Sequence, residues 1–136
     1  MPEYYLGIDV GWSPSNASTG LCLIKLDQDQ LSWECRNSTS DDHERRLDLQ
    51  SLIPRDAHLN GVGIDGPLVH CLAQVNHYRA ADALLSRNLF GERCRPGQTN
   101  SPNGQNLHHH ASQLANRVLD LAEEGLLNLA LSLIHI

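Results

Sequence analysis

Two short apolar runs of this sequence end in the same tripeptide, and this repetition constrains the fold more than any other feature. Residues 4–10 carry Gly-Ile-Asp up to Asp9, and residues 61–65 carry Gly-Ile-Asp up to Asp65. Short apolar runs bounded by glycine and proline are typical of buried β-strands. When such strands are parallel neighbours, their carboxyl ends meet at one edge of the sheet. We therefore expect Asp9 and Asp65 to lie side by side.

The segment between the two runs predicts how they become neighbours. Residues 20–26 and 31–36 are strand-like and are separated by a hairpin turn, so with residues 4–10 they predict three antiparallel strands. Ser40 or Asp41 then caps a helix that runs to about residue 52, before Pro54. This helix is a crossover, which places the fourth strand beside the first and parallel to it. The predicted class is a mixed α/β sheet with flanking helices.

The second half of the chain predicts two more helices around a long polar segment. Residues 78–89 have an apolar side, and residues 107–124 show the 4-3-4-3 apolar spacing of one buried helix face, with Gly125 as C-cap. Residues 90–106 are rich in glycine, proline and asparagine. Because loops longer than about 12–15 residues are uncommon, this segment is a candidate binding loop or lid.

Composition narrows the class of protein. A chain of 136 residues corresponds to one domain, and with only 4% aromatic residues its core must consist of Leu, Ile, Val and Ala. No apolar run reaches the roughly 18–20 residues of a membrane span, and the start has no signal-peptide pattern, so we expect a cytoplasmic protein that is not in the membrane. The four cysteines have no C-x-x-C spacing, which favours buried reduced thiols over zinc or disulfides. The oligomeric state stays open.

The last six residues, Leu-Ser-Leu-Ile-His-Ile, differ in character from the rest. They are what CTG-TCT-CTT-ATA-CAC-ATC encodes, a string that resembles the transposon end used in sequencing libraries. We therefore expect residues 1–130 to be the N-terminal fragment of one domain and residues 131–136 to be a non-native tail. The alternative is an ordinary apolar strand, which the alternation of this segment also permits.

A pair of aspartates at one sheet edge has a specific chemical meaning. Two neighbouring carboxylates repel each other unless one is protonated or a cation lies between them. Mg²⁺ or Mn²⁺ suits such oxygen ligands, and a pair of these ions can promote phosphodiester cleavage. The alternative is that Asp9 and Asp65 only cap turns, as aspartate often does. The matching tripeptides favour a metal site.

These elements resemble the ribonuclease H-like fold, and more narrowly the family called domain of unknown function 429, whose members are predicted nucleases. The matching residues are Gly-Ile-Asp-Val-Gly at 7–11, Gly-Ile-Asp-Gly-Pro-Leu at 63–68, and Tyr-Arg-Ala-Ala-Asp at 78–82. The resemblance covers residues 4–124 and implies metal-dependent cleavage of nucleic acid, with Asp9 and Asp65 as catalytic metal ligands. Arg79 and Asp82, which match an Arg-x-x-Asp element, lie at helical spacing and can instead pair with each other.

The resemblance also implies further catalytic carboxylates, one of them on a C-terminal helix. The late acids are Asp120, Glu123 and Glu124, and their position at the end of an amphipathic helix favours a solvated surface. We expect the missing acid to lie in the part of the protein lost with the C-terminus.

Charge is distributed unevenly along the chain. The net charge is −6, but residues 79–117 contain five arginines and two acids and so carry +3. Arginine binds phosphate oxygens well, which makes this segment a candidate nucleic-acid contact, although surface arginines also pair with nearby acids. The fifth arginine is Arg117, and the candidates for substrate binding are Arg79, Arg87, Arg93 and Arg95.

Two aromatic features have both a functional and a structural interpretation. Trp12 follows the first strand and could stack on a base, although packing under the hairpin is the more common role. His108, His109 and His110 are consecutive, so on one helix they point about 100° apart and cannot chelate one ion together. One of them could instead contact phosphate or move a proton.

Two other functions stay open. Asp9-Val10-Gly11 followed by several Ser and Thr residues is similar to the first phosphate loop of actin-like ATPases and sugar kinases, so the chain could begin such an enzyme. The third interpretation is a non-catalytic ribonuclease H-like binding module. A further acidic helix in the intact gene favours the nuclease, whereas a second whole domain favours the kinase.

Overall fold

The computed structural model describes residues 1–66, 68, 102–129 and 134–135. The expected helix over residues 78–89 and most of the expected loop over residues 90–106 lie outside this part. The elements in chain order are β1 (Glu3–Asp9), β2 (Thr19–Asp27), β3 (Gln30–Ser38), α1 (Asp42–Leu52), β4 (Ala57–Asp65), α2 (Pro102–Glu123), β5 (Leu127–Leu129) and β6 (Ile134–His135).

The strands form one mixed sheet in the order β3-β2-β1-β4-β5. The pairs β1–β2 and β2–β3 are antiparallel, whereas β4 is parallel to β1 and β5 is parallel to β4. This confirms the predicted antiparallel meander followed by a crossover helix and a parallel fourth strand. β6 pairs with β4 beyond the end of β5, so the two short strands share one side of β4.

The first helix matches its sequence signals closely. The Asp41 side chain accepts a hydrogen bond from the Glu44 backbone N–H at 2.9 Å, so Asp41 is the N-cap. Asp42 and Glu44 lie in the first turn, where the helix dipole favours acidic side chains. The helix ends at Leu52, two residues before Pro54.

The second helix begins earlier than predicted. It starts at Pro102, so residues 102–106 belong to the helix and not to the expected polar loop. The apolar periodicity begins only at Leu107, whereas the first turns are polar and mostly exposed. Proline is favoured at the first helical position because its φ is already helical, and this signal was outweighed by the surrounding Gly and Asn. Gly125, with φ +74°, follows the helix as expected of a C-cap.

The core lies between one face of the sheet and the two helices. Its buried hydrophobic side chains are all aliphatic, as the low aromatic content predicts for this part of the chain. Alternate residues of β1, β2 and β4 point into it, and α2 contributes Ala111, Leu114, Val118 and Leu121. No element among the described residues covers the other sheet face, which carries Asp9 and Asp65.

The edge strand β3 shows the consequence of that one-sided packing. Its alternation of Leu31, Trp33 and Cys35 predicts a buried face, yet Trp33 is 69% and Leu31 60% exposed. The other side of β3 carries Arg36 and Ser38, whose side chains hydrogen-bond to α1. Within the described part of the chain, the polar side of β3 is therefore the one that packs.

The two described cysteines face the open side of the sheet. Cys22 is half-buried in β2 and Cys35 is exposed in β3, and both are free thiols. The expectation of a buried thiol was wrong for Cys35, because the helices cover the opposite face.

Residues 134–135 form a strand beside β4, which is the conformation that alternation in the last six residues permits. The adapter origin of that segment stays a prediction.

Among the helices that the structure describes, none combines the length and the apolar character needed to cross a membrane.

Candidate functional site

The two Gly-Ile-Asp tripeptides lie directly beside each other. In the parallel pairing of β1 with β4, Gly7 is paired with Gly63, and Asp9 with Asp65. Neighbouring strands are about 4.8 Å apart, and register partners point to the same side of the sheet. The structure thus confirms the expected juxtaposition of Asp9 and Asp65 at one sheet edge, and both residues are exposed.

Neither carboxylate has a hydrogen-bond or ion-pair partner among the described residues. In the described part of the chain, Asp9 and Asp65 accept no hydrogen bond and form no ion pair. A turn-capping aspartate accepts backbone N–H groups, so this alternative does not describe either side chain. On the other side of Asp9, its β2 partner is Gly20, where an added Cβ would lie 3.4 Å from the Asp9 Cβ. The carboxylates therefore have room for a ligand.

The glycines that follow the aspartates are required for close packing. A Cβ at Gly66 would lie 2.8 Å from the Ala111 Cβ, so Gly66 lets α2 approach the end of β4. A Cβ at Gly11 would overlap the side chain and the carbonyl group of Ser18. Each tripeptide is thus followed by a glycine at which the chain has no space for a side chain.

We expect Gly11→Ala to lower the free energy of unfolding by about 3 kcal/mol, because backbone atoms of Ser18 cannot move aside as a flexible side chain can. Urea unfolding followed by circular dichroism measures this loss. Gly7→Ala is the matched control, since a Cβ there would only contact the Cys22 carbonyl oxygen at 3.9 Å. Its effect should stay within about 0.5 kcal/mol, and equal losses for the two variants would contradict this account.

The loop between β1 and β2 is held by its own hydroxyl groups. Thr19 Oγ1 accepts from the Gly11 N–H at 3.2 Å and donates to the Gly11 carbonyl at 3.1 Å. Ser18 Oγ accepts from the Ser13 N–H, and Ser13 Oγ accepts from the Asn16 N–H. These donors and acceptors close the loop on itself immediately after Asp9.

Arg45 lies beneath this loop and is fully buried, with 0% exposure. Its Nη2 donates to the Gly11 carbonyl at 2.5 Å and to Thr19 Oγ1 at 3.0 Å. Its other donors reach Thr39 O at 2.8 Å, His110 Nδ1 at 2.7 Å and Gln113 Oε1 at 2.8 Å. A guanidinium has five N–H donors, and all five have an acceptor here.

The surroundings of Arg45 define its role. No carboxylate touches the Arg45 guanidinium. Burial lowers the pKa of Arg45 below its usual value, and the charges of the more distant Asp42 and Asp41 partly offset this lowering. Because every N–H is occupied, Arg45 has no donor left for a phosphate group. Arg45 therefore joins α1, α2 and the loop after Asp9, and acts as a positioning residue.

The sequence interpretation missed Arg45, although a signal was present. Arg45, Leu49 and Leu52 are spaced by four and three residues, which places all three on the buried face of α1. An arginine within an apolar helical stripe is unusual, because charged side chains are seldom fully buried without partners. The partners come from segments distant in sequence, so no local pattern reveals them.

His110, a member of the histidine triplet, contacts this cluster. Its Nδ1 accepts from Arg45, so the ring must be neutral, and its ring packs edge-on against His109 at 5.1 Å. Burial, followed by the charge of Arg45 and the neighbouring His109, lowers the pKa of His110. The spacing argument against joint metal binding agrees with this arrangement.

We expect the protein to lose stability on acidification through His110. The unfolded chain takes up a proton near pH 6.5, whereas the folded pKa of His110 is lower, so the free energy of unfolding falls as pH falls below about 6.5. Urea unfolding at several pH values measures this, with His110→Gln as comparison. The natural protein should lose more stability than the variant between pH 7.5 and 5, and parallel curves would contradict the role of His110.

The structure locates only part of the predicted substrate-binding set. Arg79, Arg87, Arg93 and Arg95 lie outside the described residues, and Trp12 is half-buried in the loop after β1. Arg117 is paired: its Nη1 donates to Asp120 at 2.5 Å. Its Nε also lies 2.9 Å from Asp42 Oδ1, an ion pair outside hydrogen-bond angles.

The late acids are far from the candidate site. Asp120 pairs with Arg117, Glu124 pairs with Arg46, and Glu123 is exposed. From Ala111, which packs beside Gly66, the helix rises about 20 Å to its C-terminal end. The next residues pair with the opposite end of β4, where Ala57 is the partner of Leu127. This agrees with the predicted solvated role.

The site offers two carboxylate side chains, those of Asp9 and Asp65, as oxygen ligands. Among the described residues, no group of three or more His, Cys, Asp or Glu side chains is arranged to hold a metal ion. Mg²⁺ retains several waters and is commonly bound through one or two carboxylates, so the exposed pair fits an ion of this kind.

Comparison of the chain with protein-family models, with curated proteins and with solved structures finds no match in any of the three.

Proposed function

We propose that this protein is a metal-dependent nuclease with a ribonuclease H-like fold, and that Asp9 and Asp65 together bind Mg²⁺ or Mn²⁺. The observation that carries the proposal is the register pairing of these two exposed carboxylates, which no other described group engages. The strand order, with a parallel β4 beside β1, supports the fold that the sequence resemblance implies.

Each residue of the site has a distinct proposed role. Asp9 and Asp65 supply negative oxygen ligands whose mutual repulsion a divalent cation relieves. When bound, such ions activate water and stabilise the leaving oxygen of a phosphodiester. Gly11 allows close packing against Ser18 in the loop after Asp9, and Gly66 allows α2 to pack against the chain that follows Asp65. Arg45 fixes the loop after Asp9 through its hydrogen bond to the Gly11 carbonyl. Arginines 79, 87, 93 and 95 are the proposed contacts to the nucleic-acid backbone, and Trp12 the proposed contact to a base.

The kinase interpretation has less support from the loop after β1. A phosphate loop presents free backbone N–H groups to the nucleotide. Here the N–H groups of Gly11, Ser13 and Asn16 each donate to a hydroxyl of the same loop. Binding of ATP that perturbs residues 11–19 would favour the kinase, whereas a chain that binds neither metal nor ATP would favour the non-catalytic module.

The metal site is tested without relying on activity. Mn²⁺ is titrated into isotope-labelled protein, because this paramagnetic ion broadens the NMR signals of nearby residues. We expect the strongest broadening at residues 9–11 and 65–66, competed by excess Mg²⁺. Broadening centred elsewhere, for example at the acidic turn residue Asp29 at the other end of the sheet, would contradict the site.

The reaction is tested on the same protein with single-stranded and double-stranded DNA and RNA. We expect cleavage that requires Mg²⁺ or Mn²⁺ and stops on chelation. Cleavage that continues in the presence of a chelator would contradict the proposed chemistry. Metal binding at Asp9 and Asp65 with no cleavage of any of these substrates would support a binding module instead.

A further inference from the structure

The open face of the sheet carries a second pair of chemically active side chains. Cys22 and Cys35 are direct partners in the antiparallel pairing of β2 with β3. Their thiols are hydrogen-bonded to each other, with 2.7 Å between the Sγ atoms. The four-cysteine sequence pattern gave no reason to pair these two.

The backbone positions of this pair meet the geometric requirement for a disulfide. Directly opposed residues of an antiparallel pair have Cα atoms about 4.5–5.5 Å apart, and disulfides bridge Cα atoms about 4.4–6.8 Å apart. Both side chains point to the sheet face that no described element covers. No movement of either strand is therefore needed to bring the sulfur atoms together.

The two thiols differ in their access to solvent. Cys35 is exposed on the edge strand, whereas Cys22 is half-buried on the inner strand. The hydrogen bond to Cys35, together with burial, raises the pKa of Cys22 to about 11. Because Cys35 is the more exposed of the two, it is the sulfur that meets a reagent first.

We propose that Cys22 and Cys35 form a reversible intramolecular disulfide by exchange with a low-molecular-weight disulfide such as oxidised glutathione. Cys35 gives its proton to water, and the resulting thiolate attacks one sulfur of the glutathione disulfide, forms a mixed disulfide and releases one glutathione thiolate. Cys22 then gives its proton to that thiolate or to water and attacks the Cys35 sulfur, releasing the second glutathione. The two protein thiols are oxidised, and one glutathione disulfide is reduced to two glutathione molecules.

The modification site is distinct from the aspartate pair but lies on the same face. Asp9 is the β1 partner of Gly20, and Cys22 follows Gly20 by two residues on the same strand. The thiol pair thus occupies the neighbouring row of the sheet. The proposal does not depend on metal binding or on nuclease activity, and its test involves neither.

The test uses the whole chain with Cys71→Ser and Cys94→Ser, which leaves only the proposed pair. The protein is equilibrated in buffers of reduced and oxidised glutathione, quenched by alkylation and weighed by intact mass spectrometry. We expect the loss of two hydrogen atoms with no retained glutathione, and a peptide map that links residue 22 to residue 35. The same peptide map on the natural sequence shows the linkage if the doubly substituted protein does not fold.

Single substitutions separate the two steps. Adding Cys22→Ser should leave the alkylation-quenched protein with one glutathione at Cys35, because no second protein thiol resolves the mixed disulfide. Adding Cys35→Ser should slow modification of Cys22 by about tenfold or more, since the half-buried thiol lacks the exposed partner. Stable glutathione adducts in the protein that retains both cysteines, or a linkage of Cys22 or Cys35 to Cys71 or Cys94 in the natural sequence, would overturn the proposal.

Discussion

Asp9→Asn and Asp65→Asn are each expected to reduce the proposed Mg²⁺-dependent cleavage by about 10²-fold or more. Each substitution keeps the size of the side chain but removes a negative ligand, and stabilisation of transition-state charge by a bound ion contributes several kcal/mol. Because each 1.36 kcal/mol corresponds to a factor of ten in rate, a loss of this size follows. The measurement is the initial cleavage rate at saturating Mg²⁺, with the Mn²⁺ titration repeated on each variant.

The matched control is Asp29→Asn, which removes an exposed carboxylate in the β2–β3 turn at the opposite end of the sheet. Its cleavage rate should equal that of the natural protein. The two site variants should also fold at least as stably as the natural protein, because removal of one carboxylate relieves repulsion between exposed neighbours. Full activity after both substitutions would contradict the metal site, and a large loss of stability would indicate a structural role instead.

Arg45→Met is expected to lower the free energy of unfolding by about 3–5 kcal/mol. Methionine fills a similar volume but provides no donor, so acceptors in the loop after Asp9, in the segment before α1 and on α2 lose their hydrogen bonds together. Each buried acceptor left without a partner costs about 1–3 kcal/mol, and Thr19 retains the Gly11 N–H as a partial replacement. Urea unfolding measures the change.

Arg46→Met is the control, because Arg46 is the next residue of the same helix and is partly exposed. It has one described partner, an ion pair with Glu124, and surface ion pairs contribute about 0–1 kcal/mol. Arg45→Lys should be intermediate, since lysine keeps the charge but lacks the planar arrangement of five donors. Equal losses for Arg45→Met and Arg46→Met would show that the buried hydrogen bonds do not hold the loop.

Features that depend on neighbours in sequence were predicted well. The hairpin, the Asp41 cap, the end of α1 before Pro54 and the turn at Gly125 each rest on a few adjacent residues whose preferences agree. The same holds for the aspartate pair, because strand ends and a crossover helix suffice to place Asp9 beside Asp65. The start of α2 was misplaced, since its first turns are polar and only Pro102 marks the boundary.

Features that depend on which surfaces meet could not be predicted in the same way. Alternation in β3 distinguishes two faces, but it does not say that the helices lie against Arg36 and Ser38 and leave Trp33 exposed. The sequence indicates only two separate hydrophobic positions at Cys22 and Cys35, and it is the register of β2 with β3 that makes them partners. Register follows from pairing across the whole hairpin and not from either cysteine.

The sequence by itself therefore determined the order of elements from β1 to β4 and the meeting of two carboxylates, because both follow from local preference and chain connection. Tertiary structure alone decided that Arg45 is buried, that His110 must be neutral and that two thiols lie in contact. A buried guanidinium is tolerated only where acceptors converge from several segments, and that convergence exists only after the helices pack on the sheet.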